Sequence, residues 1–553
     1  DTLFSYKASR TNIEPYQFKP ALKFLDSPNQ RLILADEVGL GKTIEAGIIY
    51  LELKARLEIG RTLVVCPSGL RYKWRDEMLN RFGEEFSVQD RKSFRDLLGR
   101  YFQYQTAERF NAIISIEALR DLELVDDMLK ANLNIDLTII DEAHHLRNPA
   151  TATHNMGAVL SDLSESMLLL TATPVQLRSE DLFFLLRILD ETTFNDVHEF
   201  DQVLEPNSFI NIASQLLTAN NQSSFSQSLA MLQRVEATNQ RERYTSNPLY
   251  SHVVNLLSTS VEPTPEFIVD LKRSLQELST FSSVINRTTK RDVNPGAQRT
   301  PFVINVDLTQ EEIMAYDGFM DMVKTEYLNN HPEALTVHPF VLIQRERQAA
   351  SCLAAVDDYL SDLMDNPNAE LGADITDTEI GGVGSQEQSN SDRLNPRDFG
   401  IFLGRDRKDS KLEALNGALS QVFDETPDSK VLIFAFFKRT LNYLKDAIPS
   451  MGILPGSNVF MINGDIPTES RRKIIERFRV CEGGAVLLLS EVGAEGHDFQ
   501  FSDVLMNYDL PWNPMKVEQR IGRIDRYGQP KEKIRIYSFI LRNTIEERIL
   551  GRL

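Results

Sequence analysis

The sequence predicts an α/β protein built as two parallel-sheet units with α-helical insertions. Three observations predict it. Five short runs rich in Leu, Ile and Val fall at residues 32–35, 62–66, 112–115, 137–140 and 167–171, with helical stretches between them. A second set of runs falls at 431–436, 459–462, 485–489, 504–508 and 535–539. Between the two sets the apolar spacing is helical, over about 191–284 and again over 311–363. Short continuous apolar runs alternating with helices are the pattern of parallel strands covered on both faces.

The first run leads directly into Asp36-Glu37-Val38-Gly39-Leu40-Gly41-Lys42-Thr43 and then a helix over 44–57. Strand, glycine loop and helix in that order aim backbone N–H groups at a helix N-terminus, where phosphate is favoured. Lys42 would reach the terminal phosphates and the Thr43 hydroxyl would ligate Mg²⁺. Asp36 stands where the strict pattern has its first Gly, so the motif match rests on the strand before it and the helix after it.

The fourth run ends in Asp141-Glu142-Ala143-His144. A carboxylate at a strand tip beside a phosphate loop can hold Mg²⁺ through water, the role assigned to Asp141. The next carboxylate can orient the attacking water, the role assigned to Glu142. An acidic turn opening a helix is the plain alternative, and the phosphate loop about 100 residues upstream argues against it. His144 and His145 have no third ligand near them in the sequence and read as hydrogen-bonded neighbours.

Composition narrows the function. Of 553 residues, 42% are apolar and 25% charged, ordinary for a globular protein. No apolar stretch approaches the ~18 residues of a membrane span, and no signal-peptide pattern opens the chain. The three cysteines are scattered and odd in number, which fits a reducing cytoplasm better than a disulfide framework or zinc site. The chain starts at Asp1 without Met and stops at Leu553 inside a helical run, as a trimmed or processed chain would. Net charge is −20, yet residues 1–180 carry −4, 181–400 carry −18 and 401–553 carry +2. This argues against a protein that simply coats nucleic acid, while the near-neutral ends leave room for a locally basic cleft between them. Residues 365–398, with Gly381-Gly382-Val383-Gly384-Ser385, read as an acidic mobile loop or linker.

These motifs, in this order, resemble a superfamily 2 helicase-type ATPase of the Swi/Snf family, nearest its bacterial RapA-like branch. Asp36 to Thr43 resembles the family's first motif and Asp141 to His144 its second. Leu170-Thr171-Ala172-Thr173-Pro174 resembles the third, which couples hydrolysis to lobe movement. Gln17 stands where the family places an adenine-reading glutamine. Ser68, Lys73 and Ser115 fall in segments resembling DNA-contacting motifs. Arg287-Thr288-Thr289-Lys290-Arg291 resembles a basic element after the first insertion. Asn463 and Ser490 fall in nucleic-acid-contacting motifs of the second lobe, and Ser490 opens a motif that includes Gly493 and Gly496. Tyr508-Asp509-Leu510-Pro511-Trp512-Asn513-Pro514 leads to a sixth motif with Gln519, Gly522, Arg523 and Arg526.

The resemblance implies two RecA-like P-loop lobes. Residues 1–190 form the ATP-binding lobe, and 191–300 a helical insertion that returns to it. Residues 301–400 form a second insertion with the acidic loop, and 401–553 the second lobe. ATP and Mg²⁺ are expected between the lobes, bound through Gln17, Asp36, Glu37, Val38, Gly39, Leu40, Gly41, Lys42 and Thr43. Lys42, Asp141, Glu142, Arg523 and Arg526 are the expected catalytic set, and Thr171, Thr173, Gly493, Gly496 and Gln519 the coupling set. Guanidinium groups are suited to the charge that develops on a transferring phosphoryl group. Double-stranded DNA is the expected partner, gripped by its backbone and followed without strand separation, in the cytoplasm at the nucleoid. The alternatives are a RapA-like ATPase acting on RNA polymerase, a motor subunit of a restriction or phage-defence system, and a nucleotide-controlled scaffold without turnover. No membrane is implied.

Overall fold

The computed structural model describes residues 4, 14–27, 29–104, 109–171, 179–191, 193–217, 221, 223–259, 264–278, 281, 284–288, 297–330, 339–356, 360, 396–399, 401, 408–511, 514–526 and 529–550. Thr173, Trp512 and almost all of 365–398 lie outside these residues. The chain divides into two units, Asp1–Pro295 and Gly296–Leu553.

Among the described residues the first unit holds seven parallel strands: β1 (Arg31–Leu34), β2 (Arg61–Cys66), β3 (Ser87–Val88), β4 (Phe110–Ser115), β5 (Ile135–Ile140), β6 (Ser164–Leu170) and β7 (Ile285–Asn286). Their order is β3-β4-β2-β5-β6-β1-β7. The five expected runs are the five longest of these strands. They are buried nearly end to end, and one core lies on each sheet face. Leu34 pairs with Leu170, Ile140 with Leu169 and Val65 with Ile140, so the C-terminal ends of β1, β6, β5 and β2 come level. Open parallel sheets place their functional loops at that edge. The helices Val197–Leu216, Ser223–Val235, Pro248–Ser258 and Pro265–Glu277 enclose a separate core around Phe225, Leu232, Val253 and Leu271.

The second unit holds six parallel strands: β8 (Gln298–Val306), β9 (Lys430–Phe434), β10 (Val459–Ile462), β11 (Ala485–Leu489), β12 (Val504–Asn507) and β13 (Lys533–Leu541), in the order β10-β11-β9-β12-β13-β8. Ile462 pairs with Leu489, and Phe434 lies between Leu489 and Asn507, which brings Asn463, Ser490 and Tyr508 to one edge. β8 pairs with β13 over nine positions. It is an edge strand, which is why Pro301 is tolerated within it. Helices Gln310–Asn330 and Pro339–Ser351 follow it and close a core with Phe319, Ile401 and Ile549.

Candidate active site

The loop after β1 is shaped by two glycines. Gly39 and Gly41 have φ of 92° and 93°, the left-handed region that costs glycine least. A Cβ on Gly41 would also stand 2.7 Å from Gln17 Nε2. The helix Lys42–Leu57 starts directly after Gly41, and Lys42 Nζ donates to the Asp36 carbonyl at 2.8 Å, folding back over the loop. Gln17 is buried and fixed at both ends: Oε1 accepts from Glu14 N at 3.1 Å and Nε2 donates to the Leu40 carbonyl at 3.1 Å. The Tyr16 hydroxyl donates to the same carbonyl at 2.8 Å. Thr43, at the start of the helix, is half-buried.

Asp36, the residue that breaks the strict glycine pattern, is fully buried. Its Oδ1 accepts from Thr288 N at 2.6 Å and from Asn286 Nδ2 at 3.1 Å. The carboxylate therefore ties the loop to the chain after β7, 250 residues on in the sequence. Glu45, one turn into the helix, is also buried, and burial followed by the Asp36 charge holds its carboxyl well above the usual range.

Asp141 and Glu142 leave β5 two strands from the loop, with β6 between. Asp141 N donates to Val65 O at 2.8 Å, and Thr171 N at the end of β6 donates to Leu34 O at 2.9 Å. Thr171 is thus buried between the phosphate loop and the acidic pair. Glu142 has φ 50°, a left-handed conformation unusual for a side-chain-bearing residue and frequent at functional sites. Its N–H donates to Asp141 Oδ1 at 2.8 Å, and Trp74 Nε1 donates to Asp141 Oδ2 at 2.9 Å. Glu142 Oε2 stands 3.2 Å from His144 Nδ1 and is otherwise buried without a hydrogen bond.

Electrostatics separates the pair. Burial, then the neighbouring Glu142 charge, pushes the Asp141 carboxyl up to about 6, against the pull of the Trp74 indole, the Glu142 N–H and Lys42. Burial would also raise Glu142, but His144, then Lys42 and His145, outweigh it and hold Glu142 below the usual carboxylate range. Adjacent carboxyls driven apart in this way are fitted to different tasks. The Thr43 hydroxyl and the Asp141 carboxylate are the oxygen donors a hard divalent cation takes. The glycine loop keeps Cβ atoms away from a polyphosphate.

Of the residues expected at DNA in this unit, Ser68 is exposed, while Lys73 is half-buried and ion-paired to Glu77 at 4.0 Å, on the helical segment after β2. Ser115 is buried, and its Oγ accepts from Ala118 N at 3.2 Å as the cap of helix Ile116–Leu119. Its hydroxyl is committed inside the protein.

In the second unit Ser490 is likewise buried and caps helix Glu491–Ala494 through Gly493 N at 3.0 Å. Gly493 is forced: a Cβ there would meet the Ile462 carbonyl oxygen at 2.5 Å. Gly496 has φ 77°. Asn463 is half-buried and accepts from Asp465 N in a turn. Gln519 lies in helix Pro514–Ile521 and is half-buried. Arg526 Nε donates to Gly522 O at 2.8 Å and its Nη1 pairs with Asp498 at 2.9 Å. Arg523 is half-buried.

Three residues to which the sequence reading gave no role of their own hold this segment. Arg520, fully buried, donates to Glu491 at 2.5 Å, Asn507 at 3.0 Å and the Asp509 carbonyl at 2.9 Å. Arg299 of β8 pairs with Glu518 at 2.9 Å and Asp525 at 2.7 Å. Asp509 accepts from Phe436 N and Ser351 Oγ, the latter at 2.7 Å.

Residues 16–352 match the model of the SNF2-related domain, and residues 410–528 match the helicase conserved C-terminal domain. Among solved structures, the helicase domain of Hef from Pyrococcus furiosus is 14% identical, with 98% of each chain covered and a TM-score of 0.50. The SWI2/SNF2 ATPase core of Sulfolobus solfataricus in complex with dsDNA is 18% identical, covering 100% of this chain and 92% of that one, with a TM-score of 0.34. The Hef likeness supports the two-lobed helicase fold.

Proposed function

The chain belongs to the SNF2-related family of superfamily 2 helicase-like ATPases, and from that premise we propose that it is an Mg²⁺-dependent translocase on double-stranded DNA, working on the nucleoid in the cytoplasm. The observation that carries the proposal is the convergence of Lys42, Thr171 and Asp141-Glu142 at the ends of three neighbouring strands, β1, β6 and β5. Thr43 and Asp141 are the residues that would hold Mg²⁺, which when bound would supply positive charge to the β- and γ-phosphates.

The protein's own groups do the rest. Loop N–H groups and the helix N-terminus seat the phosphates, and Lys42 exchanges the Asp36 carbonyl for the terminal phosphates. Glu142, held ionised by its histidine neighbour, orients the water and takes its proton. Arg523 and Arg526 from the second unit supply guanidinium charge to the transferring phosphoryl group. Ser68 and Lys73 grip the DNA backbone, as does chain around Ser115, Asn463 and Ser490, so binding is indifferent to sequence. The capped serines contribute through neighbouring backbone rather than through their hydroxyls. Thr171, Thr173, Gly493, Gly496 and Gln519 couple turnover to movement.

Steady-state ATPase measurements with and without duplex DNA of arbitrary sequence test this reading. Stimulation by duplex supports it, and equal rates in both conditions refute it. Within the family we place the chain in the RapA-like branch, on the form of Ser490-Glu491-Val492-Gly493-Ala494-Glu495-Gly496-His497. Co-purification with RNA polymerase would support action on that enzyme. Co-purification with subunits encoded beside it would support a defence motor.

A further inference from the structure

Trp74 is 1% exposed, among Val64, Cys66, Met78 and Ile139, and its indole N–H ends on Asp141 Oδ2 at 2.9 Å. With Glu142 N on Oδ1, both Asp141 oxygens carry a donor and the carboxylate plane is set. A phenylalanine would suit these apolar surroundings, though it is smaller, and would donate nothing. A buried indole N–H needs an acceptor, yet a backbone carbonyl would serve that need. Here the acceptor is the carboxylate assigned to Mg²⁺, and a charge-assisted bond to it is stronger than a neutral one.

Trp74 and Leu70 are the buried side chains of the segment Ser68–Glu77, and both join the same core. The turn Ser68–Leu70 and helix Arg71–Glu77 present Ser68 to solvent and hold Lys73 half-buried beside Glu77, 4.0 Å away, and the helix runs into a π-helical turn, Met78–Phe82. Turns of that kind recur at functional positions.

We propose that Trp74 is a positioning residue that transmits nucleic-acid grip on the Ser68–Lys73 surface to Asp141, by moving the indole N–H that orients the carboxylate. The proposal rests on the DNA-translocase reading above. A load on Lys73 displaces the helix that carries Trp74, and the Asp141 oxygens turn with the donor. Nucleic acid then controls how well Asp141 is aimed and leaves nucleotide affinity nearly untouched.

The test uses the full chain labelled with 5-fluorotryptophan. The sequence has two tryptophans, Trp74 and Trp512, so the ¹⁹F spectrum has two resonances, and the one missing from Trp74→Phe is that of Trp74. Adding duplex DNA without nucleotide should shift the Trp74 resonance in the otherwise wild-type chain, and Lys73→Ala should diminish the shift. Trp74→Phe, checked by thermal unfolding, should lower duplex-stimulated kcat by about tenfold, of the order of one lost positioning hydrogen bond. KM for ATP should stay nearly unchanged, and basal turnover should fall by less than stimulated turnover, so that the ratio of the two drops.

An unmoved Trp74 resonance in a chain whose turnover duplex does stimulate overturns the proposal and leaves the translocase reading standing. So does a Trp74→Phe protein whose stimulated and basal rates fall by the same factor. Absence of stimulation in the wild type overturns the translocase reading and, with it, this relay.

Discussion

Arg526 is ion-paired to Asp498, Nη1 to Oδ1 at 2.9 Å, and its Nε is bound to the Gly522 carbonyl. Arg523, three residues earlier on the same segment, has no side-chain hydrogen bond or ion pair among the described residues. One guanidinium is thus tethered to the segment that follows Gly496, while the other is available.

The two arginines should therefore respond differently to changes around them. Arg523→Ala and Arg526→Ala should each lower DNA-stimulated turnover by about 10³-fold, with little change in nucleotide affinity, because the charge they meet develops in the transition state. Replacement by Lys should restore only part of this, since a point charge does not reproduce the guanidinium fork. Asp498→Asn should change turnover in the wild-type background and not in Arg526→Ala. A double-mutant cycle that closes without a coupling term would remove the tether from the account.

At the other carboxylate, Glu142→Gln should still bind ATP while kcat falls by about 10²- to 10⁴-fold, the usual worth of a general base. Lys42→Ala should lose hydrolysis altogether. Nucleotide binding measured beside turnover separates the two, and a Glu142→Gln protein with normal kcat would show that the water is activated elsewhere.

The stability of the second unit should hinge on one buried pair. Lys411 Nζ bonds both oxygens of Glu546, at 2.8 and 3.0 Å, with both side chains almost fully buried. Burial nonetheless pushes the Glu546 carboxyl up to about 7, against the pull of Lys411. Lys411→Met leaves that carboxylate with the Leu541 N–H at 3.0 Å but without a counter-ion, and should cost about 3–5 kcal/mol at pH 8. The sign follows from linkage. A folded-state pKa above the unfolded value contributes stability that is full in acid, below the unfolded value, and lost as pH rises through the folded one. The variant should therefore lose less at pH 5, where Glu546 takes a proton. Lys411→Met combined with Glu546→Leu should recover most of the loss. Denaturant melts at the two pH values check this, and a pH-independent loss would contradict it.

Much of this was legible in the sequence, because the long central strands are buried on both faces and read as continuous apolar runs. β8 was not legible: its exposed edge, its Pro301 and the polar start Gln298-Arg299-Thr300 break the pattern, and only its nine-position pairing with β13 makes it a strand. β3 and β7 are two residues each and carry no periodicity. Lys42 and the Asp141-Glu142 pair could be found because their chemistry demands local spacing. The contacts of Asp36, Trp74, Arg299 and Arg520 could not, because each residue acts on a partner at least 11 positions away, from Arg520 on Asp509 to Asp36 on Thr288. Trp74 in particular reads as a core anchor. It is one, and its single polar atom is what ties it to the site.

The salt response offers a further check. If backbone grip by Lys73 and its neighbours drives activation, the duplex concentration needed for half-maximal stimulation should rise steeply with salt, as counterion release requires. Lys73→Ala should flatten that slope by about one phosphate contact. An unchanged slope would place the grip on other residues.

The most direct test of the central claim is the steady-state ATPase rate of the wild-type chain at low salt, in buffer alone and with long duplex DNA of arbitrary sequence. The account predicts a rate raised severalfold or more by duplex and abolished in Lys42→Ala under both conditions. Equal rates in buffer and in duplex would contradict it, and would make this an ATPase activated by something other than DNA.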